Sequence, residues 1–454
     1  MHHSLILALL LLTLPGMVAK AQTMPKTADE YNRRGIDRYG KGDMEGAIAE
    51  YNKAIAIEPL SALPYYNRSL ARKSKGDLDG AIADCNKAIE LDPQLAGAYL
   101  NRGISRYDQG DTEGAITDYN ETVKLNPKNA LGYYNRGIAR ARKRETEGAI
   151  TDFNKAIEFD PNFAGAYTAR GNARNVRREH GGAIADYTAA LKINPNLAGT
   201  FVNRGIARND IGDLDGAITD YTAAIKLDPK SFYAFLNRGI ARSKKRDLDG
   251  TIADYTKAIE LNPKYAPGYY GRATALREKG DLDGSIADCS NAIGIDPQYA
   301  LAYECCGLSR YETGDPKGAM ADYNKAIEID SGIARVYLNR GNLRLDEHDL
   351  DGAMADYSKA IVLNPQHAIA YSNRGWVKFD KGDVEGAITD CSKAIEINPK
   401  YAAAYLIRGV AKLAQGKDPE SKADFDITLN LDSSLAPTIL AMSFKVIQAR
   451  KVVP

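Results

Sequence analysis

An aromatic residue returns every 34 positions along this chain, twelve times and without insertion or deletion: Tyr31, Tyr65, Tyr99, Tyr133, Tyr167, Phe201, Phe235, Tyr269, Tyr303, Tyr337, Tyr371 and Tyr405. A fixed period of this length marks a stack of one short supersecondary unit, and it overrides the two or three globular domains that 454 residues would otherwise suggest. The stretch from Ala98 to Pro127 shows what one period contains, and it reads as two short helices. In the first, a small residue follows the aromatic by four places, as at Gly103, Gly137 and Gly205, and lets another helix come close. Gly110 suits a helix end because it accepts positive φ, and Asp111 suits the cap of the next helix. An acid fills that capping place in eleven repeats, with Lys417 in the twelfth. The second helix carries Ala115 and Tyr119 on one face, four residues apart, and Pro127 stops it. Proline recurs at that place in ten repeats, with Ser331 and Ser433 in the other two.

This pattern of aromatic, small residue, alanine, aromatic, alanine and proline resembles the tetratricopeptide repeat family over residues 28–435. The resemblance implies an all-α fold, a right-handed superhelical solenoid of twelve antiparallel helix pairs whose first helices line a concave groove. One pair cannot bury its apolar face alone, so stacking stabilises the array and its ends need caps. Residues 436–454 read as a capping helix and tail, with APTILAMSFKVIQARK in register as one more first helix.

The start of the chain reads differently. An apolar run from Leu5 to Leu14, then Pro15, Gly16 and the small-residue pattern around Ala19 and Ala21, is expected to be a cleavable signal over residues 1–21, with a short linker over 22–27. Ten apolar residues are about half of the roughly 20 that span a bilayer, so the mature chain is expected to be exported, periplasmic or secreted, with no membrane insertion after cleavage. Lys and Arg total 60 against 59 Asp and Glu, which leaves no overall field to attract nucleic acid.

Two charged columns run through the repeats. Eleven first helices carry an Arg just before the small residue, such as Arg68, Arg102, Arg136, Arg204 and Arg340, and nine carry another four places on, such as Arg72, Arg106 and Arg140. Cations at that spacing repel by a few tenths of a kcal/mol. Every second helix offers an acid just before its aromatic, among them Asp118, Asp152 and Asp220, so repeated interhelical Arg–Asp pairs are expected. Glycine also recurs just before the alanine of the second helix, from Gly46 to Gly386, at a cost of about 0.5–1 kcal/mol each relative to Ala. Close contact and copying of one ancestral unit both account for it.

Cys85, Cys289 and Cys391 stand in the aromatic slot of second helices, where a small buried hydrophobe is the simple reading. Cys305 and Cys306 replace Asn and Arg on the neighbouring first helix, which also leaves a Cys289–Cys306 bridge open in an oxidising compartment. His180, His348 and His367 are scattered over distant repeats. No motif for metal, cofactor or catalysis emerges, so the chain is not expected to be an enzyme.

The family resemblance assigns the groove to first-helix positions occupied here by Tyr66, Tyr107, Tyr134, Tyr233, Tyr270, Trp376 and Phe379, among aliphatic residues such as Leu63, Leu100, Ile104, Ile138 and Ile369. Beside them runs an interrupted row of Asn67, Asn101, Asn135, Asn203, Asn237, Asn339 and Asn373. It is similar to the asparagine ladder of some solenoid proteins, where amides hydrogen-bond the backbone of an extended peptide; bonding within the array is the other reading. The Lys and Asn that clamp chaperone tails in other members are not paired here: Thr168 and Leu338 stand where Lys would precede Asn172 and Asn342. The expected function is a non-catalytic scaffold for protein or extended-peptide partners. Self-association, or recruitment of a separate enzyme, are the alternatives.

Overall fold

The structure, a computed structural model, describes residues 27–452. The expected signal, nearly all of the linker and the last two residues lie outside the described residues. The rest falls into two compact units, one ending at Asn196 and the other beginning at Leu197. The first holds ten α-helices, from Ala28–Gly40 to His180–Ile193. The second holds fifteen, from Ala198–Asp210 through Asp418–Leu431 to Ala436–Val452, with a single 3-10 turn at Ser433–Leu435 before the last. Every regular element among the described residues is helical, and consecutive helices pack as pairs within each unit.

The third repeat shows why the chain folds this way. Its helices are Ala96–Asp108 and Thr112–Leu125, joined at Gly110 with φ +93°. The equivalent turn residue has positive φ in all twelve repeats, but only eight of these are Gly; Arg144, Arg178, Arg246 and His348 occupy the same left-handed conformation. The Asp111 carboxylate then accepts a hydrogen bond from the Gly114 amide at 2.8 Å. A Cβ on Gly114 would stand 2.1 Å from that carboxylate. Close approach of the cap therefore accounts for the glycine column in the capped repeats. Nine Asp residues cap in this way, whereas Glu145 and Glu179 make no cap bond, so the expected eleven acidic caps are nine. Glutamate carries one more methylene than the Asp geometry uses.

The core of each pair is a ring set on a small residue. Tyr119 is buried, and a Cβ on Gly103 would lie 2.6 Å from its ring. The two repeats that lack glycine there have Ser69 and Ala273, and both face a cysteine instead of a ring: Ser69 lies beside Cys85, and Ala273 packs with Cys289. A cysteine does not require the larger spacer, since Gly375 is kept opposite Cys391.

The charged columns pair as expected. Arg102 donates from Nε and Nη2 to Asp118, with Nη2 at 2.6 Å from Oδ1, and Arg106 Nη1 reaches Oδ2 of the same carboxylate at 2.9 Å. Asp118 is 1% exposed. Arg102 also donates Nη1 to Asn86 Oδ1 on the preceding second helix, at 2.7 Å, and its guanidinium lies 5.4 Å over the Tyr99 ring. One side chain thus ties its own pair together and that pair to the one before. A buried carboxylate with two guanidiniums replaces the repulsion between the arginines with a satisfied network.

The eighth and ninth repeats depart from this. Cys306 stands in the Arg column and forms a disulfide with Cys289, Cα to Cα 5.6 Å, joining the helices Leu282–Ile295 and Ala300–Glu312. Cys85, Cys305 and Cys391 remain buried thiols. At the end of the chain, Ile439 packs on Leu406 and Val410, and Arg450 holds the turn by bonding the Leu413 carbonyl at 3.2 Å and Asp418 at 2.8 Å.

Candidate functional site: the faces of the first helices

The asparagine row has a geometry that its spacing alone does not reveal. Three of the seven amides look back about one repeat to the preceding first helix. Asn67 Nδ2 donates to Asn32 Oδ1 at 3.0 Å, Asn339 to Glu304 Oε1 at 3.3 Å, and Asn373 to Asn342 Oδ1 at 2.9 Å. Where the facing residue is apolar, the link fails. The residue opposite Asn237 in this register is Val202, and Asn237 folds back on its own helix, donating to the Tyr233 carbonyl at 2.8 Å. Opposite Asn135 is Leu100, and its buried Nδ2 has no hydrogen-bond partner. Asn101, 8% exposed, faces the Tyr66 hydroxyl but its Nδ2 closes no hydrogen bond. Asn203 also interacts within the protein. The row therefore ties repeats together at some steps and leaves two amides unspent at Asn101 and Asn135, both in the first unit.

The aromatic candidates separate into packed and open ones. Tyr134 lies between Phe153 and Phe163, ring centres 6.1 and 4.7 Å away, and burial raises its hydroxyl pKa, as it does that of Tyr66. Tyr107 packs beside Leu100 and Tyr119 under the Arg142 guanidinium. Tyr270 meets Tyr299 edge-on at 5.5 Å. Trp376 stacks on Phe379 at 5.9 Å, and Phe379 joins the cluster that the terminal helix covers. Tyr233 is open, 67% exposed, with Leu63 and Ile369 also exposed on their helices.

Two features of this face were not singled out from the sequence. The first is Glu304, buried in place of an apolar residue and paired with Arg335; burial raises its pKa and the guanidinium opposes that rise. The second is a cavity of about 480 Å³ in the first unit, bounded by Ile138, Ala141, Phe153, Ala169, Ala173 and Val176. Its signal lay in the column that reads Tyr39, Lys73, Tyr107, Ala141, where the side chain abruptly shortens. Among the described residues no group of His, Cys, Asp and Glu is arranged to hold a metal ion, and no helix is long and apolar enough to cross a membrane.

Family profiles described as TPR repeat match residues 70–110, 105–143 and 205–246, and others described as tetratricopeptide repeat match 130–163, 254–287, 334–367 and 368–401. The chain belongs to the tetratricopeptide repeat family. No curated protein matches it. Similar solved structures include the APC/C hetero-tetramer Cut9-Hcn1, 12% identical over 95% of this chain and 97% of that one with a TM-score of 0.49. Yeast Tom70 is 17% identical over 94% and 96%, TM-score 0.42, and MamA is 28% identical over 36% and 94%, TM-score 0.35. The scaffold of this family is consistent with protein–protein interaction.

Proposed function

We propose that the chain is a non-catalytic, exported scaffold that holds protein partners as extended segments along the faces of its first helices. The observation that carries this reading is the set of large apolar side chains left open on the first helices, Tyr233 being 67% exposed. With Leu63 and Ile369 it supplies contact area. Export is supported by the apolar leader and by the Cys289–Cys306 bridge, a bond that persists in oxidising compartments.

A photo-crosslinking residue placed at Tyr233, compared with one at Lys257 on the neighbouring second helix, tests the reading in the native compartment. Partner adducts from position 233 alone are expected; equal yields from both positions would remove it. One observation favours a second reading, end-on self-association: Leu440, Phe444 and Ile447 form an exposed apolar stripe on the terminal helix. Light scattering across a concentration series, with Phe444→Glu as the control, separates the two, because a monomer at every concentration excludes self-association.

A further inference from the structure

The residue in the third place before the turn glycine of each first helix meets the residue 35 positions later, on the next first helix. Tyr39 meets Ser74 through its hydroxyl at 3.2 Å, Arg142 lies 5.1 Å over Tyr107, and Tyr311 donates to Asp346. Lys244 donates to Asn209 at 3.1 Å, and Arg277 to Glu312 at 2.7 Å. Each of these couples fills the space between two neighbouring first helices. In the fourth repeat the couple is Ala141 and Val176, and the cavity of about 480 Å³ is what remains. Val176 is 77% exposed, a large apolar side chain at a place that is polar, charged or small in the other repeats. The floor is apolar as well, made by Phe153, Ala169 and Ala173.

We propose, resting on the scaffold reading above, that this cavity takes a phenylalanine side chain of the bound polypeptide, with an acidic residue next to it. The protein supplies the template for the ring, since Tyr39, Tyr107, Tyr311 and Phe379 put an aromatic at the same point of their own repeats. The far wall favours phenyl over phenol: Tyr39 and Tyr311 find a polar group at the 35-residue partner, whereas Val176 is apolar there, and the polar residues of the lining are Arg144, Thr146 and Asn172. The acidic neighbour follows from charge. Arg144 lines the cavity and makes no ion pair among the described residues, because the carboxylates beside it are taken: Glu145 by Lys143 and Glu147 by Arg177. Eight repeats have glycine at that turn position and this one holds a cation there.

The test uses the full chain and fluorescein-labelled decapeptides of Gly and Ser with one central pair, Asp-Phe, Asp-Ala, Asp-Tyr or Lys-Phe, read by fluorescence anisotropy. Asp-Phe is expected to bind roughly tenfold more tightly than Asp-Ala, the effect of burying one ring. Asp-Tyr falls with Asp-Ala, and the gap between Asp-Phe and Lys-Phe narrows at high salt. Ala141→Phe fills the cavity with the ring that Phe379 places in its own repeat, and it is expected to erase the preference for Asp-Phe over Asp-Ala. Arg144→Gly, the residue most repeats carry, is expected to erase only the preference over Lys-Phe. Both variants copy residues the array already accommodates, and unchanged circular dichroism establishes that they fold. Equal binding of Asp-Phe and Asp-Ala by the wild-type chain, or an undiminished preference in Ala141→Phe, overturns the cavity assignment and leaves the scaffold reading standing. Binding of none of the four peptides overturns both.

Discussion

The junction between the fourth and fifth repeats and the junction between the eighth and ninth use opposite means to stay joined. At the earlier one the ion-pair column is complete: Arg170 reaches both Asp186 and, one helix back, Asn154 Oδ1 at 2.7 Å. What is missing there is bulk, since Ala141 and Val176 leave a cavity, and the turns on either side carry Arg144 and Arg178 at positive φ with uncapped helices after them. At the later one the arginine itself is missing, and a disulfide takes over its tie to the preceding second helix. Only a smaller cavity of about 110 Å³ remains there, lined by the buried Glu304 and Cys305. The contrast teaches that the Arg column does two jobs, neutralising its own aspartate and tying neighbouring pairs, and that a disulfide replaces only the second.

The aspartates of the two regions should therefore respond to very different extents, and this is the largest expected effect. Asp152 is held by Arg136 Nη2 at 2.6 Å and Arg140 Nη1 at 2.8 Å. Asp152→Asn leaves two cations facing a neutral amide and is expected to cost about 3 kcal/mol, the low end for breaking a buried pair because the arginines keep some exposure. Asp322 has Arg310 alone, with Cys306 where the second guanidinium would be, and Asp322→Asn is expected to cost well under half as much at neutral pH. Urea unfolding of both variants decides it, and equal losses would break the comparison. Removing the bridge with Cys289→Ala and Cys306→Ala is expected to cost about 3 kcal/mol for a loop closed over 17 residues. Amide exchange in Leu282–Ile295 and Ala300–Glu312 should report it, with no change in the first unit.

Asp322 adds a pH signature of the missing arginine. Burial pushes its pKa up to about 6, against the opposing pull of Arg310. The folded chain therefore keeps this proton to higher pH than the unfolded chain, which releases it near 4. The associated stability is complete below about pH 4 and is lost as the pH rises through 6, by on the order of 2 kcal/mol. Stability of the wild type minus that of Asp322→Asn, followed from pH 4 to 7, should fall with rising pH, and a flat difference would show that Arg310 alone keeps the carboxylate charged.

Much of this architecture was legible because each physical requirement is written ten to twelve times. The aromatic period, the terminating prolines and the Arg and Asp columns each state one contact, and the mates of Asp118 and Asp220 follow from a fixed offset of 16 residues. The face of the first helices was less legible for two reasons. The asparagine column had to be matched with residues 31 or 35 places earlier, so that Asn32 and Glu304 explain Asn67 and Asn339 while Leu100 explains the orphaned Asn135. The cavity at Ala141 is an absence, visible only when a short side chain meets an apolar one on the next helix. Cys289 fitted both a core slot and a bridge, and the choice depended on the separation from Cys306.

The smallest effects expected are gains at the turn between Ala130–Arg142 and Thr146–Phe159. Arg144 sits at φ +64°, where an L side chain costs roughly 1 kcal/mol relative to glycine. The flanking Glu145 leaves the first amides of its helix without the side-chain acceptor that Asp111 provides one repeat earlier. Arg144→Gly and Glu145→Asp should each stabilise the fourth repeat by about 0.5–1 kcal/mol, and because the two residues are adjacent in one turn their effects are expected to couple rather than add. The same pair of changes has no counterpart at the turn after Ala266–Lys279, which already has Gly280 followed by a capping Asp281. If thermal unfolding of the double variant shows no gain, the Arg144 turn is relaxed, and the cation stands there without any conformational cost for its binding role to offset.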